Sequence, residues 1–172
     1  MELSANIQIN FQAGMKAFTE NDYALSEKYF TSVLEAEPEF RLGLESRGAA
    51  RLRLDKLEEA IADFNRAIEL SPDHARPYHL RGLVNERRGD LDQALADFNQ
   101  AIAINPDYAA AYHSRSLIRN RRGETELAED DLRMFKMLTE KRLEEFANEH
   151  NVWRSAHMAV EEAGAADVMV DR

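Results

Sequence analysis

Hydrophobic residues recur every three or four positions in stretches of about 14 residues, and short polar turns separate these stretches along most of the chain. This spacing places apolar side chains on one face of an α-helix, and no alternating strand pattern competes with it. The turns contain residues that end helices, such as Gly89, Gly123 and Pro106. The pattern therefore predicts an all-α protein built from helical hairpins.

The hairpin pattern returns with a period of 34 residues. The stretch that begins at Ala60 returns at Ala94 with the same Ala-x-Ala-Asp-Phe-Asn-x-Ala-Ile order. Extending this frame in both directions predicts four repeats, at 7–40, 41–74, 75–108 and 109–142. In the third repeat we expect helix A over about 77–88 and helix B over about 91–104.

Small and aromatic residues occupy fixed places when each repeat is numbered from 1 to 34. Gly48 and Gly82 stand at position 8 of helix A, and Phe64 and Phe98 stand at position 24 of helix B. A glycine without a Cβ lets a neighbouring helix approach closely. We therefore expect the two helices of each repeat to pack tightly around the phenylalanine.

These positions resemble the tetratricopeptide repeat family, whose pattern has an aromatic residue at position 4, Gly at 8, Ala at 20 and 27, Phe at 24 and Pro at 32. The third repeat meets all six positions, with Tyr78, Gly82, Ala94, Phe98, Ala101 and Pro106. The first and last repeats match less well, as expected of repeats that cap a stack. The resemblance implies a right-handed α-solenoid whose A helices line a concave face, and it implies binding of a protein or peptide without a cofactor.

Both ends depart from the repeat frame. Residues 1–6 are expected to form a lead-in, and the last helix is expected to run on because neither Pro nor Gly occurs in 124–163. Residues 143–163 carry an apolar stripe and predict a capping helix on the last repeat. A dimerisation surface, or a segment folded into the groove, is the alternative. Residues 164–172 are expected to be a flexible tail.

Composition narrows the classes of function. The 172 residues include 22 Lys and Arg, 32 Asp and Glu and no Cys, which gives a formal charge of −10. Without cysteine there is no disulfide, thiolate nucleophile or thiolate metal site. No window approaches the roughly 18 apolar residues of a membrane span and no signal-peptide pattern is present, so we expect a cytoplasmic protein without membrane insertion.

Enzymatic activity and nucleic-acid binding are both disfavoured. The chain has no Gly-rich phosphate loop, no catalytic constellation and no metal-ligand spacing. The net negative charge, and the absence of aromatic residues between the arginines, argue against nucleic acid. The stretches 41–54, 75–88 and 109–122 nevertheless carry net charges of +3, +3 and +4. If these A-helix stretches line the concave face, the groove favours an acidic partner.

Two rows of arginines recur at fixed repeat positions. Position 7 carries an arginine wherever position 23 carries an aspartate, which predicts structural ion pairs. These pairs are Arg47–Asp63, Arg81–Asp97 and Arg115–Asp131.

Position 13 carries a second row of arginines without a matching acidic row, and this row predicts contacts to partner carboxylates or phosphates. This row consists of Arg53, Arg87 and Arg121. Solvated cations at helix C-termini are the alternative.

Two histidines are further candidate contacts. His79 and His113 share position 5, so we expect them to face the same way on adjacent A helices. Two imidazoles fall short of the three or four ligands that zinc usually takes, so polar contacts to a partner are favoured over a metal site.

An apolar cluster and one more arginine complete the candidates. Phe11, Met15 and Phe18 lie on one face of the first helix and predict an apolar pocket at the N-terminal end of the groove, or core if the groove is closed there. Arg76 alone matches the pattern of the carboxylate-clamp chaperone adaptors, so that subtype is disfavoured.

The leading hypothesis is a non-enzymatic adaptor that binds an acidic peptide or helix. The alternative is a structural protein that assembles with itself, since the acidic segment 143–172 has the charge and apolar residues that the groove favours, in the same chain or in a neighbour.

Overall fold

The computed structural model describes residues 5–149, which form eight α-helices and no strand. The helices are α1 (Ala5–Thr19), α2 (Tyr23–Ala36), α3 (Arg41–Arg53), α4 (Leu57–Leu70), α5 (Ala75–Arg88), α6 (Leu91–Ile104), α7 (Ala109–Arg121) and α8 (Thr125–Glu149). They pair as four consecutive hairpins, which confirms the predicted all-α helical repeat fold. Helix α6 has the expected bounds, whereas α5 begins two residues earlier than expected and α1 begins inside the expected lead-in 1–6.

All four hairpins turn at position 15 with a left-handed backbone. The φ angles there are 86° at Gly89, 76° at Gly123, 63° at Asn21 and 62° at Asp55. Glycine adopts this conformation freely, and Asn and Asp are the side-chain-bearing residues that tolerate it best. One turn geometry therefore serves every repeat, although only two repeats have a glycine.

A close contact between position 8 and position 24 holds each of the first three hairpins together. A Cβ built on Gly48 would lie 2.6 Å from Cε1 of Phe64, and one built on Gly82 would lie 2.5 Å from Cε1 of Phe98. Gly14 has the same relation to the phenylalanine of the first repeat. The three rings are fully buried. The ring thus occupies the space that any larger residue at position 8 would need.

The following repeat completes each core. Val84 belongs to the same buried cluster as Phe64, and Ile118 belongs to the same cluster as Phe98. Both aliphatic residues stand at position 10 of the next A helix. The last repeat has Leu132 at position 24, and its side chain is 44% exposed. Within residues 5–149 no further A helix follows to cover it.

Helix α8 is longer than the other B helices. Helices α2, α4 and α6 end at position 30, before a proline at position 32, whereas α8 has Glu140 there and runs on to Glu149. Residues 143–149 of the predicted cap therefore continue α8, and Leu143 is 63% exposed. The rest of 143–163, and the tail 164–172, lie outside the described residues. No described helix is both long and apolar enough to cross a membrane.

We expect Gly82→Ala to destabilise the protein, although alanine favours a helix more than glycine does. The added methyl group would overlap the ring of Phe98, and such overpacking usually costs about 1–3 kcal/mol of unfolding free energy. Urea denaturation measures the change. The double variant Gly82→Ala, Phe98→Leu should recover part of the loss because the smaller side chain leaves room. Wild-type stability in the single variant would contradict the close contact.

Candidate functional site

The position-7 arginines lie inside the scaffold. Each donates hydrogen bonds from two nitrogens to the aspartate at position 23 of its own repeat. The Nη2–Oδ1 distances are 2.7 Å in Arg47–Asp63, 2.6 Å in Arg81–Asp97 and 2.6 Å in Arg115–Asp131. The aspartates are buried. The structure thus brings all three predicted pairs together, and each pair joins helix A to helix B.

A second donor, which the sequence analysis did not identify, reaches the same aspartates from position 11. The donors are Arg51 to Asp63 at 2.8 Å, Asn85 to Asp97 at 3.0 Å and Arg119 to Asp131 at 2.9 Å. Each donor follows its position-7 arginine by four residues, so both side chains lie on one helix face. The repeat frame contained this signal. The position-11 donors did not stand out as an arginine row because the donor in the third repeat is an asparagine.

The position-7 arginines also join neighbouring repeats. Nη1 of Arg81 donates to Oδ1 of Asn65 at 2.7 Å, and Nη1 of Arg115 donates to Oδ1 of Asn99 at 2.6 Å. Both asparagines belong to the preceding repeat. One guanidinium therefore holds three helices together in each of these two cases.

His79 is buried and is not available to a partner in this structure. Its Nε2 lies 3.0 Å from Oγ of Ser114, and its Nδ1 lies 3.4 Å from the hydroxyl of Tyr108. Burial, and to a smaller degree the charge of Arg76, lowers the pKa of His79 to about 4. The imidazole is therefore neutral at pH 7. Its predicted role as a partner contact is wrong because the next repeat covers it.

His113 differs from His79 because no described helix covers it. Its side chain is exposed, and its ring lies 4.9 Å from the ring of Phe135 in α8. The two histidines share a repeat position but do not share a surface. The described residues contain no group of three or more acidic or His side chains that could hold a metal.

Arg76 points back toward the scaffold. Its Nη1 lies 3.5 Å from Oε2 of Glu45, a carboxylate that is fully buried and that also pairs with Arg41. Oε2 of this buried carboxylate accepts no hydrogen bond, so the nearby Arg76 guanidinium compensates its charge as an ion pair. Arg76 is half-exposed, but its charge already serves an internal pair, which counts against its predicted role as a partner contact.

The three apolar residues of α1 do not form one open pocket. Phe11 is half-buried with its ring 5.5 Å from that of Phe30, and Phe18 packs edge-on against Tyr23 at 5.2 Å. Of the predicted trio, Met15 is exposed, at 42%. Phe11 and Phe18 thus contribute to the packing of the first repeat, and Met15 alone remains a surface contact.

The position-13 arginines meet in one groove. It lies between the C-terminal halves of α3, α5 and α7 and has a volume of about 400 Å³. It is lined by Arg53, Arg87, Arg121, Leu52, Leu83 and Glu86. We call this the arginine groove. Its cations surround an apolar floor, an arrangement suited to an apolar anchor flanked by carboxylates.

Each arginine of this groove has a partner one repeat earlier, although no acidic row repeats in step with the arginines. The contacts are Arg53 Nη2 to the Tyr23 hydroxyl at 2.8 Å, Arg87 Nε to Asp55 Oδ1 at 2.8 Å and Arg121 Nη1 to Glu86 Oε1 at 2.9 Å. The three partners stand at different repeat positions, so no periodic pattern revealed them.

The arginine side chains of the two ion pairs lie near solvent, and the Arg87–Asp55 pair is exposed on both sides. The side chains of Arg87 and Arg121 are 53% and 59% exposed, and Asp55 is 66% exposed. Solvent-exposed ion pairs contribute about 0–1 kcal/mol. A carboxylate from a partner can therefore replace Asp55 without a large loss of stability, whereas Glu86, at 17% exposure, is held more firmly.

Sequence comparison identifies the family. Two family models, both described as tetratricopeptide repeat, match residues 47–119 and 11–75. The chain belongs to the tetratricopeptide repeat family. No curated protein matches its sequence.

Solved tetratricopeptide repeat structures share the fold at low sequence identity. MamA has a TM-score of 0.71 with 22% identity over 81% of each chain. A thermophilic tetratricopeptide repeat protein from Thermus thermophilus, TTC0263, has a TM-score of 0.70 with 22% identity over 77% of this chain and 74% of its own. The first tetratricopeptide domain of Spaghetti (RPAP3), bound to the HSP90 peptide SRMEEVD, has a TM-score of 0.65 with 22% identity over 70% of this chain and 96% of its own.

We expect Asp97→Ala to destabilise the protein by about 3 kcal/mol, because it leaves the guanidinium of Arg81 and the amide of Asn85 without their shared acceptor. Thermal or urea unfolding measures the loss. Asp55→Ala is the matched control, since it removes an exposed carboxylate from Arg87 and should change stability by less than about 1 kcal/mol. Equal effects of the two substitutions would contradict the scaffold role of Asp97.

The lowered pKa of His79 predicts a loss of stability in acid. The unfolded chain protonates this residue near pH 6.5, whereas the folded chain does so only near pH 4, so stability falls as the pH drops through that window. Between about pH 7.5 and about pH 5 the His79 contribution should amount to about 2 kcal/mol. Urea denaturation at both pH values measures it. His79→Gln should remove this part of the pH dependence, and His113→Gln should retain it.

Proposed function

We propose that this tetratricopeptide repeat protein is a non-enzymatic interaction scaffold that binds an acidic peptide or helix in the arginine groove. The observation that carries the proposal is the meeting of Arg53, Arg87 and Arg121 around an apolar floor in one groove. Three guanidinium groups on three successive repeats match a ligand that presents several carboxylates. A cytoplasmic location remains a prediction from the sequence.

The apolar floor continues along the A helices. Leu83 and Leu117 both stand at position 9, and Leu117 is 42% exposed. Met15 stands at the same position of the first repeat and is exposed to the same extent. Ala49 fills this position in the second repeat. The row of three larger side chains and one alanine favours a partner with apolar anchors between its acidic residues.

A peptide bound to a similar fold supports this type of ligand. The peptide SRMEEVD in the RPAP3 structure carries three acidic side chains, although the 22% identity relates that protein to this chain by fold alone. The carboxylate-clamp pattern is absent here except for Arg76, which pairs with Glu45. We therefore assign the acidic ligand to the position-13 row.

Self-assembly is the second candidate function. Met137 and Leu143 are 51% and 63% exposed on α8. Exposed aliphatic residues at the end of a repeat stack are suited to contact another chain. Light scattering of the full chain tests this alternative. A monomer mass that stays constant over a hundredfold range of concentration would exclude it.

The adaptor proposal predicts loss of peptide binding when the groove charge is reversed. The probe is a labelled amphipathic peptide with leucines flanked by glutamates, and fluorescence anisotropy measures its affinity. The triple variant Arg53→Glu, Arg87→Glu, Arg121→Glu should bind it at least about tenfold more weakly, and added salt should weaken wild-type binding.

A matched charge control separates groove binding from general attraction. The variant Lys28→Glu, Arg66→Glu, Lys136→Glu reverses the same number of charges on B helices, outside the arginine groove. At 0.1 M salt the electric field of a surface charge is screened beyond roughly 10 Å. The affinity of this variant for the peptide should therefore stay within about twofold of the wild-type affinity. Equal losses in both triple variants would contradict the assignment to the groove.

A further inference from the structure

The three arginines of the arginine groove differ in how far a neighbouring carboxylate already neutralises each charge. Within residues 5–149, Arg53 has only uncharged contacts. Its Nη2 donates to the Tyr23 hydroxyl at 2.8 Å, and its guanidinium carbon lies 4.9 Å from the centre of the Tyr23 ring. A hydroxyl and an aromatic ring carry no negative charge, so the charge of Arg53 stays available to an incoming carboxylate.

Arg87 has a carboxylate partner that gives way easily. Its Nε lies 2.8 Å from Oδ1 of Asp55, and both side chains are more than half exposed. Asp55 stands in the turn between α3 and α4, so its carboxylate can rotate into water without disturbing a helix. An exposed ion pair of this kind contributes little to stability. A ligand carboxylate can therefore take the place of Asp55 at Arg87.

Arg121 differs because its carboxylate partner lines the groove itself. Nη1 of Arg121 lies 2.9 Å from Oε1 of Glu86, and only 17% of the Glu86 side chain is exposed. Glu86 follows Leu83 by three residues on α5, so the two share a helix face, and both line the groove. The Glu86 carboxylate thus stands beside the apolar floor and is shielded from water far more than that of Asp55.

The repeat frame shows that this acidic residue is particular to the third repeat. Position 12 is Phe18 in the first repeat, Leu52 in the second and Asn120 in the fourth. In the third repeat it is Glu86, and Leu52 and Glu86 line the same groove. The groove therefore has an apolar side chain at position 12 of the second repeat and a carboxylate at position 12 of the third.

A ligand carboxylate that approached Arg121 would meet the charge of Glu86. Two carboxylates that share one guanidinium repel each other, and the repulsion grows where a bound ligand excludes water. At Arg53 a ligand carboxylate meets no such charge. An acidic partner therefore gains most at the α3 end of the groove and least at the α7 end.

We propose that Glu86 determines the specificity of the arginine groove, and this proposal rests on the proposed function above. Glu86 occupies Arg121 as a carboxylate of the protein itself, so the groove binds acidic side chains at Arg53 and Arg87. The part of the partner that reaches α7 carries a neutral or basic side chain, because such a side chain leaves the Arg121–Glu86 pair intact. The partner is thus a peptide or helix whose acidic residues lie toward one end.

Two paired substitutions that leave the net charge unchanged test the proposal. The first, Glu86→Gln with Arg121→Gln, removes a pair that the ligand does not use. It should bind the labelled amphipathic peptide described above within about twofold of wild type. The second, Asp55→Asn with Arg87→Gln, removes a pair whose arginine the ligand uses. It should bind the peptide at least about fivefold more weakly, and Asn tolerates the left-handed backbone of residue 55.

The single substitution Glu86→Gln releases Arg121 without a change in side-chain size. This variant should bind the glutamate-rich peptide at least about threefold more tightly than wild type. Asp55→Asn is the matched control, because it removes the same charge from an exposed side chain, and its affinity should stay within about twofold of wild type. A gain by the same factor in both variants would show a general charge effect and would contradict the role of Glu86.

Selectivity among ligands gives a readout that a purely structural ion pair would not change. Two further peptides carry a lysine in place of the glutamate nearest one end, the amino end in one and the carboxyl end in the other. Wild type should bind one of these two at least as tightly as the parent peptide. Glu86→Gln should prefer the parent over both by at least about fivefold. The same preference in wild type and Glu86→Gln would overturn the proposal.

These outcomes separate the role of Glu86 from the adaptor proposal. Equal losses in the two paired variants, together with a loss in the triple charge reversal, would reject Glu86 as the specificity residue and retain the groove as the binding site. Unchanged binding in the triple charge reversal would reject both proposals. Circular dichroism checks that each variant keeps the helical content of wild type.

Discussion

The contact between the position-8 glycine and the position-24 phenylalanine determines how closely helix A and helix B of a repeat approach. Gly82 and Phe98 leave no space for a Cβ between them. Because the next A helix packs on the same ring through position 10, this contact also sets the distance between repeats. The spacing of the A helices that line the arginine groove therefore follows from this contact in the second and third repeats, together with the hydrogen bonds that Arg81 and Arg115 make to the preceding repeat.

Two arginine rows six positions apart have opposite roles because of the direction in which each points. Position 7 faces helix B, so Arg81 meets the buried Asp97 and is fixed by two hydrogen bonds or more. Position 13 lies at the end of helix A, where Arg87 meets only the exposed Asp55. The first row stabilises the scaffold, and the second row keeps its charge near solvent.

Sequence alone predicted the features that repeat. The period of 34 located α6 at its observed bounds, and the position-7 pairs followed from the joint occurrence of Arg and Asp. Features without a period were not predictable in this way. The partner of Arg121 is Glu86, at a position unlike those of the other partners, and the burial of His79 depends on Ser114 and Tyr108 from outside its helix. Sequence spacing identifies a helix face but not the neighbour that covers it.

The lysine at position 10 of α1 makes the two ends of the solenoid unequal as sites for an additional repeat. A unit inserted after residue 108 would meet an apolar surface built to receive it, because the third repeat already receives α7 there. A unit added ahead of α1 would have to enclose Lys16. An added repeat is therefore favoured after residue 108, where an apolar surface receives it, and disfavoured before α1, where it would bury the charge of Lys16.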